Sequence, residues 1–503
     1  RDLVRDGATV IGPRPEQSPS LVGYPQCDEE VRSIGNEVWG DCDGQRVKQH
    51  AYGKGRVIWG MPMNDVLKQI KLAPDFEYRS PGRARLAYIH RRVDNAEVYF
   101  VSNQQYRPVA ADCYFRVSGR QPELWHADTG EMEPAPVWSK ASGRTVVSLR
   151  LEPAESVFVV FRKPAPSRYV TRVARTGAGQ AVQSPERIEV RLARYEAPDG
   201  SRGADVTGRV RALVAQGETD IPASNEVFGD PVPLVQKRLR IEWTLNGKPR
   251  SETVDEGGTI SLGGGAASVA PLEWAMRSDT KGYTLIPWRA GTFNIRTAAG
   301  KSVSVSVKEG PAEITIKGPW TVHFKPEWGG PAQTTFSELI SWPEHTDEGI
   351  RFYSGSATYV KEFEVPAAAC AANREVVLDL GNVRNFAEVT LNGKGLGVLW
   401  KAPFRVTVTG LLKPGRNSLS VRVTNLWPNR LIGDEYKPAE VEWNGNALRA
   451  WPDWVWSGKP RPKTGRYTFT TWRLWTKDDP LQESGLLGPV VIRSAQKMNL
   501  RLE

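Results

Sequence analysis

Residues 351–434 leave this chain few choices of fold. The stretch reads FYSGSATYVKEFEVP, then VVLDLGNVRNFAEVTLNGKGLGVLWKAPFRVTVTGLLKPGRNSLSVRVTN, then LWPNRLIGDE. Tyr359, Phe363 and Val365 alternate with polar positions, and Pro366 ends the run because proline cannot donate to a strand ladder. A second strand is expected at 376–380. The run 387–391 leads into Asn392-Gly393, the dipeptide best able to take positive φ at both centres of a type I′ turn, so a hairpin returns through 396–400. Strands over 404–408 and 419–423 complete an antiparallel set with one apolar face. That face has to be buried on a second sheet, and the product is a β-sandwich.

At 503 residues the chain exceeds what one core supports. Residues 1–85 read as an α/β unit. Helical residues 2–6 end at Gly7, a buried strand covers 8–11, an amphipathic helix covers 28–39, a strand covers 56–59, and Asn64 caps a helix over 64–70. Strands alternating with helices imply a parallel sheet, and a sheet of two strands implies further strands before Arg1. Cys27 falls in a Tyr-Pro-Gln loop. Over 86–164 the pattern turns to strands alone, at 85–91, 96–103, 110–117, 122–125, 145–151 and 156–162, separated by Asp94-Asn95, Ser118-Gly119, Thr129-Gly130 and Ser142-Gly143. This is a small antiparallel β-domain. Residues 168–312 form a β-rich, sandwich-like region with strands near 187–195, 237–245 and 302–307. It echoes the later sandwich: Asp205-Val206-Thr207 with Val210, Leu213 and Gly217 parallels 406–415, and Leu245-Asn246-Gly247-Lys248 repeats Leu391-Asn392-Gly393-Lys394. Residues 313–497 hold the jelly roll. The fold class expected is therefore multidomain and mainly β, an incomplete α/β unit followed by β-sandwich domains.

Net charge is +10, but Lys and Arg are dispersed and acidic residues still number 57, which does not describe a nucleic-acid interface. Four cysteines without CxxC spacing or paired histidines point neither to zinc nor to a disulfide framework. No apolar run reaches the length of a membrane span. Eighteen tryptophans, concentrated from Trp320 onward, suit both sandwich cores and platforms for sugar rings.

The stretches YVKEFEVP, LDLGNVRNFAEVTLNGKGLGVLWKAPFRVTVTGLLKPGRNSLSVRVTN and NLWPNRLIGD resemble the galactose-binding, jelly-roll domain of large glycoside hydrolases. Together with DGATVIGPRPEQSPSLVGYPQCDEEV, YFVSNQ, PELWHADTG and SGLLGPVVI, they resemble the C-terminal half of glycoside hydrolase family 106, the α-L-rhamnosidases. The resemblance implies that residues 1–85 are a degenerate amidotransferase-like domain. It places the catalytic glutamates and a calcium site on an N-terminal (β/α)₈-type barrel, whose motifs match no position here. No catalytic residue, metal ligand or cofactor is therefore assigned to this chain. The implied partners are a rhamnose-containing oligosaccharide or polysaccharide and the protein's own N-terminal catalytic barrel, with periplasmic or secreted localisation in bacteria.

Two groups of residues remain as candidates for sugar contact or for bracing the domain. In the first, Asn425, Asn429, Arg430 and Asp434 can bond vicinal hydroxyls beside a stacked Trp427, or Arg430 and Asp434 can pair with each other. In the second, Trp451, Trp454 and Trp456 sit on a long loop, and extended backbone puts Trp454 and Trp456 on one face. Glu338, Glu344, Glu348 and Glu435 lie near the same loops, where solvated carboxylates are the default. Three functions follow: the ancillary part of a rhamnosidase-like hydrolase that cleaves terminal α-L-rhamnosides, a stand-alone carbohydrate-binding protein, or a self-sufficient glycosidase with its own carboxylate pair.

Overall fold

The computed structural model describes residues 1–80, 84–176, 187–215, 219–233, 235–262, 273–279, 282–310 and 312–501. The chain divides into two compact units, Arg1–Glu77 and Tyr78–Glu503. The first is the expected α/β unit. Thr9–Ile11 runs parallel to Gly55–Ile58, with Val10 opposite Val57. An unforeseen strand, Gln49–Tyr52, pairs antiparallel on the other side of Gly55–Ile58, through a tight turn in which Gly53 takes φ +59°. Helix Gln26–Trp39 closes the unit by burying Val38 and Trp39 with Val4, Cys42 and Val57. Two local readings need correction. Cys27 lies in the first turn of that helix, which begins after Pro25 rather than at Asp28. Asn64 does not cap helix Met63–Gln69, because the chain enters it through extended Pro62, whose carbonyl takes the Asp65 and Val66 N–H groups.

In the second unit, residues from Leu86 onward fold into two antiparallel sheets. Leu86–Val93, Ala96–Asn103, Ser156–Pro164, Arg120–His126 and Met132–Pro134 lie side by side in that order. Trp138–Ala141, Arg144–Leu151 and Val109–Phe115 pair in the other sheet. All six expected strands are present, and the turn residues Asp94, Ser142 and Gly143 take the positive φ that their sequence suggested. Further on, Arg238–Leu245 and Lys248–Asp255 form a hairpin whose turn, Asn246-Gly247, repeats the left-handed pair at Asn392-Gly393. The rest of the echo fails. Thr207–Ala215 is a helix, because Val210 and Val214 recur at helical spacing and bury against strand Ile188–Glu196, whereas its counterpart at 405–407 is a strand. Gly217 lies outside the described residues.

The last sandwich has a six-stranded sheet in the order Thr334–Phe336, Trp320–His323, Ser356–Val365, Gly415–Thr424, Phe386–Leu391, Lys394–Leu399. Facing it is a sheet of Ala312–Thr315, Val491–Gln496, Arg374–Asp379 and Arg405–Thr407. Ser356–Val365 pairs with Gly415–Thr424 along its whole length, so Ala357 and Tyr359 point inward with Val423 and Val421. Asn392 fixes the hairpin turn with more than its φ. Its amide donates to the Leu411 carbonyl and Asn417 Oδ1, and its Oδ1 accepts the Ser418 N–H. At the centre, Trp342 Nε1 donates to the Tyr359 hydroxyl at 2.6 Å, and the Leu486 N–H donates to the same oxygen at 3.2 Å. Both rings are fully buried.

Charged groups join this sandwich to the strands before it. Lys401 Nζ lies 2.8 Å from Asp128, Arg405 bridges Asp379 at 2.7 Å and Glu152 at 3.5 Å, and Arg277 bonds Glu375 at 2.8 Å. Burial raises the carboxyls of both Glu152 and Glu155 above the ordinary range, with the Arg405 charge opposing the shift at Glu152 and the Glu152 N–H opposing it at Glu155.

Tyr359→Phe strands two buried donors, Trp342 Nε1 and Leu486 N–H, and is expected to cost about 1–3 kcal/mol in urea unfolding. An unchanged unfolding midpoint would show that this centre contributes little. The raised carboxyls bind protons more tightly folded than unfolded, so their contribution is fully present at acid pH and declines as pH rises through the shifted range. Glu155→Gln keeps an acceptor for the Glu152 N–H but carries no charge to desolvate. Its melting temperature relative to the parent chain should therefore climb from acid to neutral pH.

Candidate functional site

Both groups of sequence candidates lie beyond the strand Gly415–Thr424, where the chain leaves the sandwich and returns only at Gly485–Gly488. Pro428 at the first turn, with its fixed φ, starts the short helix Pro428–Asp434 directly after the strand. Asn425, Asn429, Arg430 and Asp434 are all buried and bonded within the fold, although Arg430 Nε and Asp434 Oδ1 have no hydrogen-bond partner among the described residues. The Asn425 amide donates to the Tyr353 carbonyl and to Ser484 Oγ, both at 2.9 Å, while its Oδ1 accepts the Gly355 N–H. Asn429 holds residue 482 from both sides, donating to the Gln482 carbonyl at 2.7 Å and accepting the Gln482 N–H at 2.7 Å.

Arg430 and Asp434 form no ion pair with each other among the described residues. Arg430 Nη2 donates to the Trp328 carbonyl at 2.9 Å, and its guanidinium lies 4.5 Å from the centre of the Tyr467 ring. Asp434 Oδ2 accepts three bonds, from the Tyr467 N–H, the Thr468 N–H and Thr468 Oγ1, at 2.7–2.9 Å. One turn of helix separates the two residues, and each reaches a different part of the returning chain. None of the four presents a face to a ligand. Trp427 does: it is half-exposed and stands edge-on to Trp328, with ring centres 5.4 Å apart.

The tryptophan group is also arranged differently from the extended reading. Asp453–Ser457 is a helical turn, entered at Pro452 and ended at left-handed Gly458, so Trp454 and Trp456 diverge. Trp454 turns inward onto Phe469, with ring centres 5.2 Å apart. Trp456 is three-quarters exposed and meets the half-exposed Trp451 edge-to-face at 6.1 Å.

A constellation that the sequence reading did not single out lies beside these residues. Glu435 follows the helix and is held by two guanidinium groups, Arg466 Nη1 at 3.0 Å and Arg473 through Nε at 3.0 Å and Nη2 at 2.6 Å. Arg466 also donates to the Pro438 and Lys437 carbonyls. Glu440 is held by Arg461 Nε at 2.7 Å and by the Thr464 hydroxyl. Glu435, Glu440, Arg466 and Arg473, with Trp443, Trp472 and Trp475, line a shallow recess open to solvent. The Trp472 backbone is pinned by a bridge to Ala447 next to the small hairpin of Trp443–Asn444 and Ala447–Leu448, yet its ring is half-exposed. The spacing of these partners, about thirty residues without a period, gives no pattern that a local reading could detect. Among the described residues, no cluster of three or more His, Cys, Asp or Glu side chains is arranged to hold a metal ion.

A sandwich of this topology, with its binding-type residues on loops beyond one end, defines the galactose-binding-like class found in glycoside hydrolases. Residues 344–463 match the galactose-binding domain-like family of glycosyl hydrolase 2. The chain is glycoside-hydrolase-like, and its residues 1–139 match the family described as alpha-L-rhamnosidase. A rhamnosidase from Novosphingobium sp. PP1Y is similar over 98% of this chain and 31% of its own, at 25% identity and a TM-score of 0.57. A Formosa agariphila protein named "Putative beta-glucuronidase" is 31% identical over 98% of this chain and 48% of its own length. A Ruminococcus gnavus beta-glucuronidase is similar over 38% of this chain and 29% of its own, at 21% identity and a TM-score of 0.23. The chain thus spans about half the length of the Formosa protein and under a third of the rhamnosidase.

Asp434→Ala would leave the Tyr467 and Thr468 N–H groups without their acceptor. Unfolding free energy should fall by about 1–3 kcal/mol, and amide exchange at those two residues should speed up ahead of exchange in the sandwich strands. Unchanged exchange there would mean that the returning segment is held by other contacts.

Proposed function

We propose that this chain is the ancillary, glycan-facing part of an α-L-rhamnosidase-like hydrolase, and that bond cleavage takes place on a separate catalytic barrel of the same protein. The observation that carries this reading is how the loop carboxylates are used. Glycoside cleavage needs one carboxyl that can hold a proton and one that is free to attack or to activate water. Glu435 and Glu440, the acidic groups lining the recess, are instead locked to guanidinium groups that occupy their oxygens. Around them stand exposed aromatic rings on a braced frame, the equipment for holding a sugar rather than for cleaving one. The expected substrate is a glycan bearing terminal α-L-rhamnose, in keeping with the similarity to the rhamnosidases.

The purified chain should release no aglycone from an aryl α-L-rhamnoside at any pH from mildly acidic to mildly alkaline, with or without added calcium. The chain joined to a family 106 barrel should release it. Turnover by the chain alone, lost in one of Glu338→Gln, Glu344→Gln, Glu348→Gln or Glu435→Gln, would overturn the proposal.

A further inference from the structure

The recess beside Glu435 carries an inference that rests on, and sharpens, the glycan-facing reading. Its electrostatics are lopsided. One carboxylate, Glu435, takes both Arg466 and Arg473, while Glu440 and Arg461 balance each other. Asp434 and Arg430, both buried, add one charge of each sign without pairing with each other. With Arg461, which neutralises Glu440 from outside the lining, the cluster around the recess keeps one guanidinium charge in excess. Of the two groups on Glu435, Arg466 is fully committed, since its three nitrogens donate to Glu435, Pro438 and Lys437. Arg473 spends only Nε and Nη2, and its side chain is 39% exposed. Its Nη1 is available to a ligand at the mouth of the recess.

Next to Arg473 in sequence stands Trp472, whose indole is half-exposed although its backbone is fixed. A half-exposed indole and a partly unspent guanidinium lining one recess fit a pyranose ring that stacks through its C–H face and carries an anionic substituent at its edge. The ordering cost is small, because the Arg473–Glu435 ion pair and the bridge that holds the Trp472 backbone to Ala447 are already made in the free chain. We infer that the recess formed by Trp472, Arg473, Glu435 and Arg466 is a binding subsite for an anionic sugar residue, charged through a carboxylate or a sulfate. The neutral sugar removed by the hydrolase and the charged sugar held here are then different residues of one glycan. The subsite would select acidic, rhamnose-bearing polymers.

The test is a calorimetric titration of the 503-residue chain with three probes: methyl β-D-glucuronopyranoside, a sulfated methyl glycoside, and neutral methyl α-L-rhamnopyranoside. At least one anionic probe should bind, more tightly than the neutral one and more weakly as salt is raised. Which anionic probe binds better distinguishes carboxylate from sulfate recognition. Trp472→Ala should weaken binding roughly tenfold. Arg473→Gln should remove the preference for charge while Arg466 still satisfies Glu435. Tyr106→Ala, which removes an exposed ring of the small β-domain, should bind like the parent chain. Circular dichroism of each variant shows whether it is folded, and the Trp472→Ala and salt arms stand even if Arg473→Gln is not. The inference is overturned if no anionic probe saturates, if the neutral probe binds equally well, or if Trp472→Ala binds the anionic probe as tightly as the parent chain does. Any of these results leaves the assignment of cleavage to a separate barrel intact, because that assignment is judged on turnover.

Discussion

The pairing of Ser356–Val365 with Gly415–Thr424 is the contact on which the last sandwich depends. Ten residues on each side exchange ladder bonds in one unbroken register. That register decides which side chains face the second sheet, because a slip by one position would turn Tyr359, Val421 and Val423 outward. Tyr359 then carries the constraint across the core. Its hydroxyl receives the Trp342 indole from one side and the Leu486 N–H from the other, tying the strand to the loop before it and to the segment that closes the domain. Buried donors of this kind cost more when unmet than they contribute when met, so the centre acts as a check on correct assembly as much as a source of stability.

Beyond the sandwich, residues 435–484 are organised by a different principle. They have little regular structure and cannot bury enough apolar surface to hold themselves, and most of their tryptophans lie partly or fully at the surface. Order comes from buried carboxylate groups: Asp434 takes two backbone N–H groups and a hydroxyl, Glu435 takes two arginines, and Glu440 takes an arginine and a threonine. Such bonds, made partly out of water, are stronger than surface ion pairs and more directional than apolar contacts. They suit a segment that has to present rings to solvent without letting them collapse inward.

Much of the architecture was legible because the signals are local. Alternation located the strands of both the small β-domain and the last sandwich, and Asn392-Gly393 and Asn246-Gly247 announced their hairpins through a backbone requirement that few other dipeptides meet. What could not be read was partnership over distance. Nothing in the sequence says that Arg374–Asp379 and Arg405–Thr407 leave the sheet of their neighbours for the opposite one, since alternation is the same on either. The site suffered from the same limit. Asn425, Asn429, Arg430 and Asp434 were recognisable as important residues, but their burial depends on the chain that returns at 467–484. Arg466 and Arg473 were passed over because their meaning lies in a glutamate some thirty residues earlier.

The closing strands have a consequence for how the molecule is made. Val491–Gln496 is an inner strand of its sheet, lying between Ala312–Thr315 and Arg374–Asp379, and Met498–Leu500 goes on to pair with Gly282–Pro287 in the preceding β-region. Two bodies of structure therefore wait for the same few residues. While a ribosome is still adding 435–484, Arg374–Asp379 has an open edge and the sheet of Gly282–Pro287 lacks a member, so both offer unpaired backbone to neighbouring chains. Completion of either must await synthesis of residues 491–500, and the two should then close almost together. A nick or premature stop after the tryptophan-rich excursion would not merely shorten the protein. It would leave two distant sheets unfinished at once, marking the product for aggregation or degradation.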